Sequence, residues 1–383
     1  MTSFSRSSAL NGALAVLLAA VLGCGPDDGT ADLDNGKAAY EVRDLKKAEK
    51  CFEKSLAAAP ANVDRLILLA RVKLDLGELA AAKELVEKAA VTAGGDTDVV
   101  LLGAQIAWHM KDYANAAADF ASLASDAKHD AGIRAQAFAG LGIVEMTCNN
   151  AHLARIAFLK AIRLDRRNAS AWYHLGLLYR DGFGYAEAAL EQFEIFVRLE
   201  ASASPRVQKV QRTIIPALKE TIARTTADRP GVTKRDSAAC AAAIGKAEAA
   251  WKKGAYKSAR EFYQAALKAD PISYPAALGL GKAWEKTDAS RAGLTKAFEN
   301  YKIACTIRSG AISTFLTAGR LAAQLGFSAQ AVEIYSRAVA ASPTSLEALD
   351  GLIRALGRVG KKTNVARAYQ DYRDMLRPVR KGK

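Results

Sequence analysis

Apolar residues recur every three or four positions along most of this chain, which is the spacing of one face of an α-helix. The clearest example is the segment 169–199, where glycines separate two such runs. Glycine is unfavourable inside a helix and common just after its end, so the segment is predicted to form two short helices joined by a tight turn. The first run holds Trp172, Leu175 and Tyr179, the second holds Ala189 and Phe193, and Gly182 and Gly184 lie between them.

The same arrangement returns in steps of about 34 residues, a period typical of helical-repeat architectures. The predicted units are 29–62, 63–96, 97–130, 135–168 and 169–203, followed by 240–273, 274–311, 312–345 and 346–379. The last unit keeps few of the shared positions, as is typical of a terminal repeat whose outer face meets water. The shared phase over most of the chain predicts a stack of helix pairs.

The segment around Trp172 also carries a family signature. Trp172-x2-Leu175-Gly176-x2-Tyr179, followed by Gly184, Tyr185, Ala189 and Phe193, resembles the opening of a tetratricopeptide repeat. The resemblance implies an all-α fold in which the repeats form a right-handed superhelical solenoid. It also implies a non-catalytic scaffold that binds protein or peptide partners.

The repeat phase is lost after the fifth unit. Ser204 and Pro205 are typical of a helix start, and the apolar residues that follow predict a closing helix, kinked at Pro216. Turn-forming and charged residues without periodicity follow it and predict a linker. We therefore expect a first array of about five repeats over 34–225, a linker over 226–239, and a second array of about four repeats over 240–383 that ends in a basic tail.

The amino terminus resembles that of a bacterial lipoprotein. The apolar run Ala13–Leu22 is too short to span a bilayer as a helix, and it leads into Val21-Leu22-Gly23-Cys24, which resembles a lipobox. The resemblance implies a signal peptide over 1–24, acylation of Cys24, and a polar tether over 25–33 that holds the protein on a bacterial envelope membrane. The residue after Cys24 is not Asp, which favours the periplasmic face of the outer membrane over the inner membrane. An ordinary secretory signal or an uncleaved anchor are the alternatives.

Charge is distributed unevenly along the chain, whose formal net charge is +14. Residues 29–203 hold 21 Lys and Arg against 24 Asp and Glu, residues 204–239 hold 8 against 3, and residues 240–383 hold 24 against 11. A basic second array favours an acidic protein partner, or alternatively an anionic cell-wall or surface polymer or lipid. The alternative is that these lysines only keep the helix surfaces hydrated and bind no partner. Nucleic acid is disfavoured, because an exported lipoprotein rarely meets it.

The family resemblance also places candidate contact residues. In tetratricopeptide repeats the first helices line a concave groove, and ligands contact the second, fifth, ninth, twelfth and thirteenth places of each unit. In the first array the twelfth place holds Tyr40, Leu74, Trp108 and Met146, and the fifth holds Leu33, Ile67, Leu101, Ala139 and Tyr173. In the second array the ninth place holds Glu248, Lys282, Arg320 and Arg354, and the thirteenth holds Lys252, Lys286, Gln324 and Arg358.

The residues at these places predict an apolar strip with aromatic side chains in the first array, which we name the apolar lane, and a row of cations in the second array. The lane suits the apolar face of a helix or an extended peptide, unless neighbouring repeats bury it. The cations suit an acidic ligand. They do not match the carboxylate clamp of some family members, because the asparagines of that clamp are absent.

No motif in the chain predicts chemistry. The four histidines lack metal-ligand spacing, no GxSxG is present, and Gly279–Lys282 lacks the Ser or Thr and the preceding strand of a phosphate loop. Besides Cys24, the cysteines Cys51, Cys148, Cys240 and Cys305 show no CxxC spacing and are expected to be buried or half-buried free thiols. We therefore expect no catalytic residue, no metal and no cofactor.

Overall fold

The computed structural model describes residues 28–227, 235–308, 310–360 and 363–377. Over these ranges every regular element is a helix and none is a strand, which confirms the all-α prediction. Cys24, the apolar run before it and the basic tail beyond Arg377 lie outside the described residues. No helix in the described ranges has the length and apolarity needed to cross a bilayer.

The chain divides into two compact units, Met1–Gly140 and Leu141–Lys383, and the division point lies within helix α7. The helices of the first unit are α1 (Thr30–Glu41), α2 (Leu45–Ala58), α3 (Val63–Asp75), α4 (Leu79–Ala93), α5 (Thr97–His109), α6 (Tyr113–Ser125) and the start of α7 (Ala131–Thr147).

The second unit contains the rest of α7 and the remaining helices. They are α8 (Ala151–Leu164), α9 (Ala169–Leu177), α10 (Ala186–Leu199), α11 (Pro205–Lys209), α12 (Ile215–Ala227), α13 (Ser237–Lys252), α14 (Tyr256–Ala269), α15 (Tyr274–Thr287), α16 (Arg291–Ile307), α17 (Ile312–Leu325), α18 (Ser328–Ala341), α19 (Leu346–Val359) and α20 (Thr363–Leu376). Two π-helical turns, Leu178–Gly182 and Val210–Ile214, extend α9 and join α11 to α12.

The predicted repeat phase is visible in the backbone. The turn inside most helix pairs contains one residue in the left-handed conformation, which removes the chain from the first helix before the second begins. Arg43, Gly77 and Lys111 hold this conformation at successive steps of the repeat in the first unit, and Gly326 and Gly360 do so in the second. Polar N-caps then start the next helix: the carboxylates of Asp44 and Asp112 accept the amide protons of Lys47 and Asn115.

The core is built from aromatic rings that pack on glycines. In each such pair a ring from a second helix lies against a glycine of a first helix, and a methyl group at Gly142 would lie 2.5 Å from the Phe158 ring. Glycine at this place therefore sets how closely the two helices approach. The pairs are Phe52 with Gly36, Phe120 with Gly140, Phe158 with Gly142, Phe193 with Gly176, Tyr263 with Gly279, Tyr301 with Gly281, and Tyr335 with both Gly319 and Gly351.

The predicted closing helix is present as α11 and α12. Ser204 is the N-cap, Pro205 occupies the first turn, and Val207 and Val210 are buried, as the sequence indicates. The chain passes through a π-helical turn just before Pro216, because proline lacks the N–H that would bond to the preceding turn.

The second unit contains an unexpected long-range contact. Helix α8 packs against α20 and α18, and Arg155 of α8 is completely buried there. Its Nε donates to the Tyr369 hydroxyl at 2.7 Å and its Nη1 to the Ser336 carbonyl at 3.0 Å. Helices assigned to different predicted arrays thus belong to one compact unit.

The predicted linker over 226–239 lies inside this second unit. Residues 226–227 end α12 and residues 237–239 begin α13, so the segment without helix is at most 228–236. Residues 228–234 of it lie outside the described residues. The division into two arrays stays a prediction.

Candidate partner-binding surface

In the second unit the rings that pack on glycines are tyrosines from α14 onward. Tyr301 of α16 is buried, and its hydroxyl donates to Oε2 of Glu285 at 2.6 Å. Burial, together with this carboxylate, raises the pKa of Tyr301 far above its usual range. The phenol therefore stays neutral and donates its proton to a carboxylate on the first-helix side of the repeat.

The same carboxylate also forms an ion pair with a cation from the next repeat. Nη2 of Arg320, on α17, donates to Oε1 of Glu285 at 2.7 Å. The Arg320 side chain is 56% exposed, so this ion pair contributes little to stability, about 0–1 kcal/mol. It does compensate the charge of Arg320 within the protein, which weakens Arg320 as a contact for an acidic ligand.

Tyr335 of α18 is packed between the first helices of two successive repeats. Its ring is held between Gly319 of α17 and Gly351 of α19. Burial raises the pKa of Tyr335 and the exposed Glu347 carboxylate adds to this, while the positive charges of Arg354, Arg320 and Arg358 act in the opposite direction. The three predicted contact residues thus lie on the two first helices that flank Tyr335, together with the Glu347 carboxylate.

Two of the three arginines are available for a partner. Nη1 of Arg358 donates to the Ala323 carbonyl at 2.8 Å, which orients the side chain without cancelling its charge. Arg354 is exposed and forms no ion pair with any described residue. Planar guanidinium groups held this way are suited to binding carboxylates through paired hydrogen bonds.

The remaining predicted cations extend this surface. Lys282 and Lys286 are exposed four residues apart on α15, so they share one helix face, and Lys252 is exposed at the end of α13. None of the three forms an ion pair with a described residue. We name as the basic face the group Lys252, Lys282, Lys286, Arg320, Arg354 and Arg358.

The predicted apolar lane of the first unit is mostly engaged in packing. The Tyr40 hydroxyl donates to Asp75 at 2.7 Å, and its ring packs on the core around Phe52. Leu74 packs on the adjacent core, and Trp108 is half-buried, with its ring edge-on to His109. At the fifth place Leu33 is half-buried, and Ile67, Leu101 and Ala139 are buried.

The two members of the lane in the second unit are also half-buried. Met146 lies near the end of α7. Tyr173 packs against Phe193 and Phe196, and the Arg206 guanidinium carbon lies 5.8 Å from its ring centroid. These residues stabilise the repeat stack, and a role in binding a partner stays a prediction for them.

The sequence interpretation missed Glu285 and Tyr335. Glu285 holds the twelfth place of its unit, whereas the contact places assigned in the second array are the ninth and thirteenth, and Tyr335 lies on a second helix, which those places do not include. A signal was present: the ring that packs on glycine is Phe in the units before residue 203 and Tyr in the units after residue 240. A buried phenol hydroxyl needs a hydrogen-bond partner. A tyrosine at this position therefore indicates polar or charged side chains on the neighbouring first helices, where the basic face lies.

The described residues contain no group of three or more His, Cys, Asp or Glu side chains that could hold a metal ion. Cys51, Cys148, Cys240 and Cys305 are free thiols, and Cys51 is half-buried as expected, but Cys148 is exposed, contrary to the expectation. Cys240 and Cys305 are buried, and burial raises the pKa of the Cys305 thiol to about 12.

Repeated helix pairs that pack on their sequence neighbours and share one phase define the class of protein: a helical-repeat scaffold. Family models of the tetratricopeptide repeat match residues 39–106 and residues 231–274. These two stretches contain tetratricopeptide repeats, and proteins built from such repeats are scaffolds for protein–protein interaction. No curated protein matches the chain.

Solved structures of tetratricopeptide repeat proteins resemble parts of it. MamA from Desulfovibrio magneticus RS-1 is 17% identical, over 46% of this chain and 98% of its own, with a TM-score of 0.36. PilF of Pseudomonas aeruginosa is 19% identical, over 53% of this chain and 94% of its own, with a TM-score of 0.40. The Cut9–Hcn1 hetero-tetramer of APC/C is matched by 89% of this chain, at 16% identity and a TM-score of 0.35. Similarity at this level says nothing about partners.

Proposed function

We propose that this protein is a non-catalytic scaffold that binds an acidic segment of a partner protein on its basic face. Acylated Cys24 would hold it on a bacterial envelope membrane, where it would assist assembly of an envelope complex. The anchoring part of the proposal rests on the lipobox resemblance alone. The binding part rests on the side-chain geometry of α15, α17 and α19.

The observation that supports binding is that Arg320, Arg354 and Arg358 lie on the first helices of two successive repeats, with Arg354 exposed and Arg358 oriented by the Ala323 carbonyl. Cations gathered on one face raise the local concentration of anions more than the same cations scattered over a surface. The protein supplies Glu285 for only one of the three. Two guanidinium groups remain for carboxylates that a partner would bring.

A peptide is favoured over a diffuse polymer because the site has fixed elements. Arg358 is oriented by the Ala323 carbonyl, and Tyr335 is locked between two glycines. A polyanion that binds through its charge alone does not need side chains held in fixed orientations. Binding that depends only on charge should disappear as salt rises, whereas oriented guanidinium–carboxylate pairs with apolar contacts beside them should retain part of their affinity.

The test compares two triple variants of the full chain. Lys282, Arg354 and Arg358 are replaced by Ala in one, and the exposed second-helix residues Lys257, Lys268 and Arg367 in the other. The ligand is a labelled peptide in which Glu alternates with Leu, with a Gln-for-Glu peptide as reference. We expect the basic-face triple to weaken binding at least several-fold more than the control triple. Equal losses would mean that net charge alone matters, and the proposed site would be wrong.

A further inference from the structure

A cavity of about 220 Å³ lies in the second unit, away from the basic face. It is enclosed by α10 and α12 on one side and by α16, α17 and α18 on the other, with the turn at Gly184 and Tyr185 completing the wall. Its base is apolar and buried, and consists of Cys305, Phe315 and Ala340. The cavity is therefore a separate place where this fold could hold a ligand.

One nitrogen of a cation in the cavity wall, Nε of Arg337 on α18, is buried and lacks a hydrogen-bond acceptor among the described residues. Its closest carboxylate is that of Glu333 on the same helix, 3.9 Å from Nε and 63% exposed. The guanidinium carbon lies 5.5 Å from the ring centroid of Tyr185, which also lines the cavity. The Arg337 side chain is 35% exposed, but its buried Nε is left without an acceptor, which is unfavourable, and the oxygen of a bound carboxylate would satisfy it.

The other polar groups of the wall do not supply that acceptor. The hydroxyls of Thr221 and Thr306 donate to the carbonyls of Ala217 and Ile303 in their own helices. The Cys305 thiol stays protonated, because burial raises its pKa to about 12. Arg337 is thus the group in this wall that selects for an anion.

The volume of the cavity and the charges in its wall restrict which anion it can bind. An apolar cavity of about 150 Å³ is known to hold benzene, so this cavity can hold an apolar body of about six to eight carbons. Glu187 and Glu191 of α10 also line it, Glu191 at the exposed rim. These two carboxylates oppose a dianion such as phosphate more strongly than a monoanion, and the single positive charge of Arg337 matches the single charge of one carboxylate.

We propose that this cavity binds a small apolar monocarboxylic acid, with the carboxylate on Arg337 and the hydrocarbon on Phe315 and Ala340. The site is built from the second helices α10, α16 and α18, the closing helix α12 and the start of the first helix α17. It does not depend on the basic face or on the proposed partner, so each proposal can fail without the other.

The first test uses the unmodified full chain with octanoate, and with 1-octanol as a ligand of the same length without the charge. Binding is followed by calorimetry and by the rate at which a small thiol reagent modifies Cys305, read by mass spectrometry with the exposed Cys148 as reference. We expect octanoate to bind and to slow modification of Cys305 alone. Equal binding of octanol, or octanoate binding that leaves Cys305 unprotected, would overturn the proposal.

The second test compares Arg337→Gln with Arg198→Gln, a matched change at an exposed arginine of α10. Loss of a charge-assisted hydrogen bond should weaken octanoate binding by about tenfold or more in Arg337→Gln and leave it unchanged in Arg198→Gln. Circular dichroism and melting confirm that both variants are folded. A folded Arg337→Gln protein that binds octanoate as the unmodified chain does would refute the assignment.

Discussion

Arg155 and Tyr369 lie 214 residues apart in the sequence and are joined by a hydrogen bond of 2.7 Å in the second unit. Both side chains are fully buried, and no described carboxylate neutralises the arginine. Its charge is stabilised by the Tyr369 oxygen, the Ser336 carbonyl and the face of Phe183, whose centroid is 4.7 Å from the guanidinium carbon. Removing only one of these partners leaves a buried charge without compensation, which lowers the free energy of unfolding substantially.

Tyr369→Phe is therefore expected to destabilise the second unit by roughly 2–4 kcal/mol, because Arg155 loses the oxygen that two of its nitrogens share. Replacing Arg155 by Leu as well should recover part of this loss, since the unpaired charge is then gone. Urea unfolding of both single variants and the double variant measures the coupling. Tyr256→Phe, at a half-buried tyrosine outside the contact, is the control. Strictly additive losses would contradict the role assigned to this pair.

Lys111→Gly is expected to stabilise the first unit by about 0.5–1 kcal/mol. Lys111 has φ 65°, a left-handed conformation that costs an L-residue energy and a glycine very little. It forms no ion pair with a described residue, so the backbone effect should dominate. The reverse change, Gly77→Ala one repeat earlier, should destabilise by a similar amount, since no atom would obstruct the added methyl group. Thermal unfolding measures how each substitution changes the stability of the first unit. The prediction holds only if the two changes have opposite signs.

The buried carboxylate Glu49 should make the first unit sensitive to acid. Nζ of Lys73 lies 2.5 Å from Glu49 Oε1, and this hydrogen bond holds the pKa of Glu49 below its ordinary value of 4.5. A depressed folded pKa gives stability that is complete above the unfolded pKa and is lost as the pH falls through the folded one. The difference in unfolding free energy between the unmodified chain and Glu49→Gln should be about 1–3 kcal/mol at neutral pH and shrink below about pH 4. A difference independent of pH would exclude the ion pair as its source.

Cys24→Ser should release the protein from membranes or block its maturation, because the thiol that would carry the lipid is absent. Fractionation of cells that express each form, with the protein detected in membrane and soluble fractions, measures this. Cys148→Ser, at an exposed thiol far along the chain, is the control and should stay membrane-bound. Normal processing and membrane retention of the Cys24→Ser protein would show that the lipoprotein interpretation is wrong.

The helices and their phase could be read from the sequence because they depend on local periodicity. Trp172, Leu175 and Tyr179 share a helix face whatever lies elsewhere in the chain, and the turn at Gly326 depends on a few residues. The contact of Arg155 with Tyr369 could not be read in this way. It depends on the small rotation between each repeat and the next, summed over many repeats, and the apolar pattern does not specify that angle.

The candidate site was predictable in part for the same reason. Repeat places put Arg320, Arg354 and Arg358 on first helices, and the structure places those helices on the two sides of Tyr335. The pairing of Arg320 with Glu285 depends on the separation of two helices in space, which the sequence leaves open. Because Arg320 is paired with Glu285, the binding test replaces Lys282, Arg354 and Arg358 instead of Arg320.

The packing of α8 against α20 affects how this protein could gain or lose repeats. In an open row of repeats each one touches only its neighbours, so an end repeat can be deleted at small cost and new copies can be added there. In the second unit the last helix already has a partner near the beginning of the unit. Removal of α20 would expose the guanidinium of Arg155, and an extra repeat inserted before α20 would have to move it off α8. The number of repeats between these two helices is therefore fixed by geometry, and modular growth by duplication is excluded from this stretch of the chain.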